Sequence, residues 1–392
     1  MRHLVARGEK STDFLLPLSR PCDVSARDRV RWNADSSAEN WMSHLDDALP
    51  VSALSIPGTH DSAAFTYNWP FVATQTLNIK EQLDSGIRYF DFRLALRDDV
   101  IEMVHGSAFL GLQFDVVLAT IYEWLSAHAQ EGIIVQLKQD RDDENSSLQF
   151  YQAVTKTILA NTTCWRTANT TPTLGELRGR IQLFRRFVLG QRYAYGINVT
   201  QWEDNPEYPF TIRTWHGVQV TIQDHYKLAD PAPLPALIAS KGRDVSGLLN
   251  AAANDLSQWH WYINFTSSFE INLWYQITPK TVATGGYFAF RWIEGINLHL
   301  RNSLKLLPGK RRYGIVAMDF PELATDDLIE TIIASNFQGD SDLTWKRRVL
   351  LVILILLIVA LAIATAINGA DSVFSICTRG VARAPLGAFS SS

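Results

Sequence analysis

The chain has few cysteines and no excess of charge of either sign. Its 392 residues include three cysteines, Cys22, Cys164 and Cys377, which lie far apart and form no C-x-x-C pair. This usage argues against a disulfide framework or a structural zinc site and suits a reducing compartment. The formal net charge of −4 provides no general attraction to polyanions. We therefore do not expect nucleic acid as a partner.

The chain is long and apolar enough to bury a large core, with 47% hydrophobic residues. From about residue 46, short β-rich runs alternate with longer helical stretches, a pattern typical of βα units. The candidate strands end near Ile56, Arg93, His105, Lys138, Phe184, Gln223, Phe265 and Asp319. Eight such runs predict an α/β fold, an irregular TIM-type βα-barrel of about 250 residues with extensions.

Three of these runs end on polar side chains. The first ends on His60 and Asp61, the second on an Asp-x-Arg pattern at Arg93, and the third on His105. The carboxyl ends of barrel strands converge on one substrate. Two histidines there would share acid and base duty, and an arginine would hold an anion. A lone His-Asp pair at a strand end is more often an ordinary loop contact, but three in order favour an active site.

These motifs also carry a resemblance. The runs IPGTHDS, GIRYFDFR, VHG, IIVQLK and VTIQDHY resemble the X-type catalytic domain of phosphatidylinositol-specific phospholipase C in its bacterial single-domain form. The resemblance implies that an inositol 2-hydroxyl attacks the adjacent phosphodiester, which gives diacylglycerol and an inositol cyclic phosphate. His60 matches the general base and His105 the general acid. Asp319 matches the residue that orients the base, and Asp61 matches the partner of the acid.

Arg93 bears on the question of a metal. Related calcium-dependent eukaryotic enzymes carry a carboxylate at this position and an asparagine at that of Asp61, both as metal ligands. A guanidinium can replace the cation on the developing charge, so the resemblance implies an enzyme without metal or cofactor. It also assigns binding of the inositol ring to a further set of residues, in which Arg185 competes with Arg186. That set is Lys138, Arg186, Asp224 and Tyr226.

The C-terminal part contains a long apolar run. Residues 349–367 carry no charge, and as a helix they would extend roughly 28 Å, close to the thickness of a bilayer core. The basic group Lys346–Arg348 before this run predicts a cytosolic catalytic domain on a single-pass C-terminal anchor. Five N-x-S/T triplets favour the opposite, luminal side. The N-terminus shows no signal-peptide core, and a GPI signal is not expected.

The expected organisation is an N-terminal extension (1–45), a catalytic barrel (46–338), a linker (339–348), a transmembrane helix (349–367) and a tail (368–392). The expected function is a membrane-anchored phosphodiesterase that acts on phosphatidylinositol-type lipids. One alternative is another phosphodiester, a GPI anchor or a glycerophosphodiester, although enzymes for the latter usually carry a carboxylate metal cluster. A second alternative is an inactive barrel that binds lipid headgroups or a partner.

Overall fold

The computed structural model describes residues 37–190, 195–306, 310–323, 325–337 and 353–355. Most of the expected N-terminal extension, the linker and the C-terminal tail lie outside these ranges. Within them, the barrel elements run from Ser55 to Ala334.

Two short 3-10 helices, Ala38–His44 and Val51–Ala53, precede the barrel. The strands are β1 (Ser55–Thr59), β2 (Tyr89–Arg97), β3 (Val100–His105), β4 (Ala108–Gln113), β5 (Ile133–Gln139), β6 (Trp165–Arg166), β7 (Ile181–Arg186), β8 (Ile197–Asn198), β9 (Phe210–Arg213), β10 (Gln219–Gln223), β11 (His260–Phe265), β12 (Glu270–Ile271), β13 (Gln276–Ile277), β14 (Gly285–Phe288), β15 (Arg291–Glu294) and β16 (Gly314–Met318). The α-helices are α1 (Ile79–Asp84), α2 (Phe114–Ala127), α3 (Phe150–Leu159), α4 (Leu174–Leu177), α5 (Leu234–Asn254), α6 (Pro279–Thr284), α7 (Ile296–Lys305) and α8 (Leu328–Ala334).

The main sheet is built from parallel strands in the order β7, β5, β2, β1, β16, β11, β10. Strands β1 and β16, which are distant in sequence, pair along their whole length, so the sheet curves back on itself. Both are buried at every position, as expected of parallel strands that are covered on both faces. Because the strands are parallel, their carboxyl ends lie along one edge. Register places Arg93 beside Lys138, and Lys138 beside Arg186.

The strand that ends at His105 requires a correction. We expected it to be one of eight barrel strands, but β3 pairs antiparallel with β2 and continues into the β3–β4 hairpin. The cause is the connection, which consists of Asp98 and Asp99, both with positive φ. Two such residues make a tight hairpin turn, whereas a parallel neighbour needs a crossover of a dozen or more residues.

The sheet has a seam. On one side, the short strands β6 and β8 cover the free edge of β7. On the other side, β9 runs antiparallel to β10. Within the described residues, no strand pairing joins these two sides. Across the seam, the Trp202 side chain contacts both Arg186 on β7 and Asp224 after β10.

The transmembrane helix expected at 349–367 also requires a correction. None of the helices in the described ranges is long and apolar enough to span a bilayer. Of the expected segment, only residues 353–355 are described; they are helical, and their side chains are about half exposed. Hydropathy measures composition, whereas a span requires some 20 residues in one continuous helix. The single-pass anchor is contradicted, and so are the membrane localisation and the orientation that depended on it.

Candidate active site

A cavity of about 280 Å³ opens at the carboxyl edge of the sheet. It is lined by charged and aromatic side chains from most of the barrel strands and the loops that follow them. These residues are His60, Phe71, Arg93, His105, Gly106, Lys138, Asp140, Arg186, Asp204, Asp224, Tyr226, Ser267, Ser268, Phe269, Pro279 and Asp319. Asp61 lies beneath this lining and contacts three of its members. All nine predicted site residues therefore lie in or directly beneath one cavity.

His60 is the first residue after β1, where its backbone N–H donates to the carbonyl of Met318. Its Nδ1 lies 2.8 Å from Asp319 Oδ1. A carboxylate at this distance fixes Nδ1 as the protonated nitrogen of the neutral ring. Nε2 is therefore the working nitrogen, and it lies 2.9 Å from Arg93 Nη2.

Opposing effects act on the charge of His60. Burial, the largest single effect, lowers the pKa of this imidazole, and Arg93 lowers it slightly more. The carboxylates of Asp319 and Asp61 together outweigh both effects, so the pKa of His60 is raised to about 9. The contact with Arg93 favours the neutral ring, because a guanidinium has only donors and requires Nε2 to accept. The two carboxylates thus stabilise the protonated ring, whereas the arginine stabilises the neutral ring by donating a hydrogen bond to Nε2.

Asp61 is the central charge of the site. It is buried and has a φ of 41°, a left-handed conformation that short polar residues adopt most readily. Its Oδ1 lies 2.6 Å from Arg93 Nε. Its Oδ2 lies 3.2 Å from Nε2 of His60 and 3.3 Å from Nε2 of His105. One carboxylate oxygen therefore faces both imidazoles.

His105 is held in a different way. Its Nδ1 lies 2.8 Å from the carbonyl oxygen of Val72, which can only accept, so Nδ1 carries a proton. Nε2 therefore faces Asp61 and the cavity. The two imidazole centroids are 6.4 Å apart and the rings are nearly perpendicular.

Asp91 is a member of the site that we did not assign from the sequence. It is fully buried, and its Oδ1 accepts from Gln136 Nε2 at 2.6 Å. Its Oδ2 lies 3.8 Å from Arg93 Nε and accepts from the backbone N–H of Asp61. Burial raises the pKa of Asp91, but the charges of Arg93 and His60 lower it further. Asp91 lies two residues before Arg93 on β2, so the two side chains face the same side of the sheet. This spacing in the sequence could have identified Asp91 as a site residue.

The far side of the cavity carries the predicted ring-binding residues. Lys138 is paired with Asp140, whose other oxygen accepts from the backbone N–H of Gly106. The Arg186 guanidinium lies 4.2 Å from the centre of the Trp202 ring, and Trp202 Nε1 donates to Asp224 Oδ2 at 2.9 Å.

Of the two candidates Arg185 and Arg186, Arg186 lines the cavity. Arg185 faces away from the cavity and donates to the carbonyls of Tyr195 and Phe187.

Tyr226 lies at the mouth of the cavity. Its ring stacks on Phe269 with the planes 10° apart, and its hydroxyl donates to Asp204 Oδ1 at 3.1 Å. Burial, together with Asp204, raises the pKa of this phenol to about 12. Trp202 and Asp204 come from a loop without periodicity, so no sequence pattern indicated them.

Among the described residues, one cluster of side chains could act as metal ligands, and it lies beside Arg93. It consists of His60, Asp61 and Asp91. The guanidinium of Arg93 already lies against both carboxylates. Its pKa is raised by Asp61 and Asp91 against the lowering effect of burial, so its charge is permanent. A divalent cation at this position would be repelled by a fixed positive charge. Metal independence stays a prediction.

A parallel βα-barrel with two histidines and an arginine facing one cavity defines a class of phosphodiesterase-like barrels. Comparisons with known proteins narrow this class. Residues 54–187 match the family model for phosphatidylinositol-specific phospholipase C, X domain. The 1-phosphatidylinositol phosphodiesterase of Staphylococcus aureus (strain Newman) is 29% identical over 321 residues, which cover 76% of this chain and 95% of that protein. The protein of the same name from Listeria monocytogenes is 35% identical over 156 residues, 38% of this chain and 48% of that protein.

The fold agrees with these matches. A solved structure of a variant of phosphatidylinositol-specific phospholipase C from Staphylococcus aureus is 28% identical and has a TM-score of 0.64. The match covers 76% of this chain and 98% of that one. These matches support the predicted assignment to the phosphatidylinositol-specific phospholipase C X-domain family, and the predicted barrel is confirmed.

Proposed function

We propose that this protein cleaves phosphatidylinositol-type lipids to diacylglycerol and an inositol cyclic phosphate. The observation that carries the proposal is a pair of imidazoles beside one arginine. Their Nδ1 atoms are held by Asp319 and by the carbonyl of Val72, and their Nε2 atoms both face Asp61. Acid–base cleavage of a phosphodiester needs one group to accept a proton, one to donate a proton, and a fixed cation for the phosphate. His60, His105 and Arg93 supply these three groups within one cavity.

His60 is the general base in this proposal. Its Nε2 presents a lone pair, and Asp319 on Nδ1 stabilises the imidazolium that forms when the 2-hydroxyl gives up its proton. The oxygen of that hydroxyl then attacks phosphorus. Because Arg93 Nη2 lies 2.9 Å from Nε2, the guanidinium is placed to contact the phosphate as this bond forms.

His105 is the general acid. The bond from phosphorus to the glycerol oxygen breaks, and that oxygen takes the proton from Nε2 of His105. Asp61 Oδ2 lies 3.3 Å from this nitrogen and can accept a hydrogen bond from its N–H. Asp61 also pairs with Arg93. It therefore fixes the position of the general acid relative to the arginine that contacts the phosphate.

Lys138, Arg186, Asp224 and Tyr226 bind the inositol ring. Three of them carry charge and face one side of the cavity, where they can exchange hydrogen bonds with ring hydroxyls. The Tyr226 ring provides an apolar face beside them.

Two hairpins on the rim provide the contact with the lipid surface. The chain leaves the cavity lining at Phe269, forms the β12–β13 hairpin, returns to the lining at Pro279, and then forms the β14–β15 hairpin. Leu273 and Trp274 are exposed at the first tip, and Phe290 is fully exposed at the second. Phe290 has a φ of 64°, an unfavourable conformation for a bulky residue. Exposed aromatic side chains beside a headgroup cavity suit the interfacial region of a bilayer.

The experiment is phosphorus NMR of the full chain incubated with phosphatidylinositol in detergent micelles. We expect a five-membered cyclic phosphate resonance to appear as the lipid signal declines. If a glycosylated inositol lipid or a glycerophosphodiester is consumed instead, the proposed substrate is wrong and that compound takes its place. An unchanged lipid signal with all of these substrates would indicate an inactive barrel and would overturn the proposal.

A further inference from the structure

Lys241 is a buried lysine on α5 that takes no part in the acid–base chemistry. Only 2% of it is exposed. Its Nζ donates to the side-chain oxygen of Gln223 at 3.1 Å and to the backbone carbonyl of His225 at 2.9 Å. A buried ammonium is costly unless it is well partnered. Its two partners are the residues on either side of Asp224, which lines the cavity.

The side chain of Gln223 extends this contact into a closed network. Its Oε1 also accepts from the backbone N–H of His225, at 2.9 Å. Its Nε2 donates to Asn264 Oδ1 and to the carbonyl of Phe265 at the end of β11. Asn264 in turn donates to the carbonyl of Val245 on α5. The helix and the ends of two strands are thus joined by buried polar groups with defined partners, an arrangement that specifies one geometry.

The helix holds the following residue as well. Nδ1 of His225 lies 3.0 Å from Oδ2 of Asp244, which is one turn beyond Lys241 on α5. The side chains of this segment alternate, since Gln223 and His225 contact the helix while Asp224 and Tyr226 line the cavity. A shift of the segment relative to the helix would therefore move both ring-binding residues.

We propose that Lys241 is a positioning residue that fixes Asp224 and Tyr226 for binding of the hydroxyl-bearing headgroup. This inference rests on the proposed function. A lysine suits the role because its stem reaches from the helix to both acceptors. Burial lowers the pKa of Lys241 to about 8, against the raising effect of Asp224, Asp244 and Asp319, so the ammonium form prevails at neutral pH.

The test is steady-state kinetics of the full chain with Lys241→Met, which keeps the apolar stem and removes the ammonium. We expect KM for phosphatidylinositol in micelles to rise about ten-fold with little change in kcat, because ring binding is shared by ground state and transition state. Arg243→Met is the matched control, since Arg243 lies two residues away on the same helix and is exposed. That variant should keep the wild-type KM.

A double-mutant comparison separates positioning from general stabilisation. If Lys241 acts through Asp224, its effect on KM should largely disappear in an Asp224→Asn background. An equal effect in both backgrounds, or a fall in kcat with KM unchanged, would overturn the inference.

If Lys241→Met does not fold, as judged by thermal denaturation, Asp244→Ala replaces it. That variant removes the ion pair with His225 and leaves the buried charge in place, and a KM unchanged by it would overturn the inference. Absence of turnover by the wild-type chain would instead refute the proposed function, and this would be evident before any variant was measured.

Discussion

The two histidines of the site are held by different kinds of structure. His60 follows a parallel strand in the centre of the sheet and has a carboxylate, Asp319, on its Nδ1. His105 ends an antiparallel hairpin strand outside the parallel barrel and has a backbone carbonyl on its Nδ1. A carboxylate partner stabilises the imidazolium more strongly than a neutral carbonyl does. The difference supports the proposed roles, in which His60 accepts a proton and His105 donates one.

The largest expected effect comes from removing either imidazole. His60→Ala and His105→Ala should each lower kcat by about 10²–10⁴, the usual contribution of a positioned acid or base. His299→Ala, on the exposed side of α7, is the control and should retain full turnover. Initial rates on micellar phosphatidylinositol provide the measurement. Near-wild-type rates in either variant, at unchanged melting temperature, would remove that histidine from the mechanism.

Arg93 contacts His60 and also Asp61, whose other oxygen faces both histidines. Its loss should therefore affect both proton transfers. Arg93→Ala should reduce turnover by about 10²–10³, the scale of one lost transition-state donor. Excess chelator should leave the wild-type rate unchanged, because the guanidinium already occupies the space between Asp61 and Asp91. A wild-type rate that is lost with chelator and restored by calcium would contradict this reading of Arg93.

Asp319→Asn tests the asymmetry between the histidines directly. His60 acts as a base only when it is neutral, so kcat/KM of the wild type should rise with pH towards about 9. Because Asp319 is the largest effect that raises the pKa of His60, its removal should shift this rise to lower pH. We also expect a loss of about 10–10² in the limiting rate, since the ring is less firmly oriented.

The control for this pH shift is Asp327→Asn. Asp327 is paired with Arg301 and Lys305, outside the cavity lining. Its profile should match that of the wild type. If the pH profile of Asp319→Asn is also unmoved, Asp319 is not what sets the basicity of His60.

The smallest expected effect concerns the rim. Phe290→Ala should leave turnover on a short-chain, dispersed substrate unchanged and reduce activity on intact vesicles several-fold, through weaker binding to the interface. Tyr208, which is exposed but absent from the cavity lining and from both rim hairpins, offers the matched control, Tyr208→Ala. Equal losses on both substrates would show that Phe290 acts on the fold of the rim and not on the lipid surface.

Residues at strand ends were predictable, and residues from loops and helices were not. His60 and Asp319 directly follow β1 and β16, and Arg93 lies near the end of the parallel pairing of β2 with β5. The apolar patterns of these strands are visible in the sequence, and parallel pairing brings such positions together. Lys241 and Trp202 lack this signal. A lysine in a helix is normally predicted to face solvent. The burial of Lys241 becomes understandable only from the two acceptors of its ammonium group, which the sequence does not reveal.

The two wrong predictions share a cause. For β3, a β-rich run indicated a strand but not its direction, which the two-residue turn at Asp98 and Asp99 decides. For residues 349–367, apolar composition was taken to predict a membrane-spanning helix, and no helix of the described residues is long and apolar enough to be one. In both cases the composition of a segment was taken as its geometry.

The seam in the sheet bears on how this enzyme could change its substrate range. Arg186 closes a strand on one side of the seam, and Asp224 follows a strand on the other, and among the described residues no strand pairing joins the two. Trp202 contacts both, through its ring face and its Nε1. We expect the width of the half that we propose to bind the ring to depend on this side chain. The acid–base half is set by the continuous pairing of β16, β1 and β2. New headgroups can be accommodated at the seam while the chemistry stays as it is.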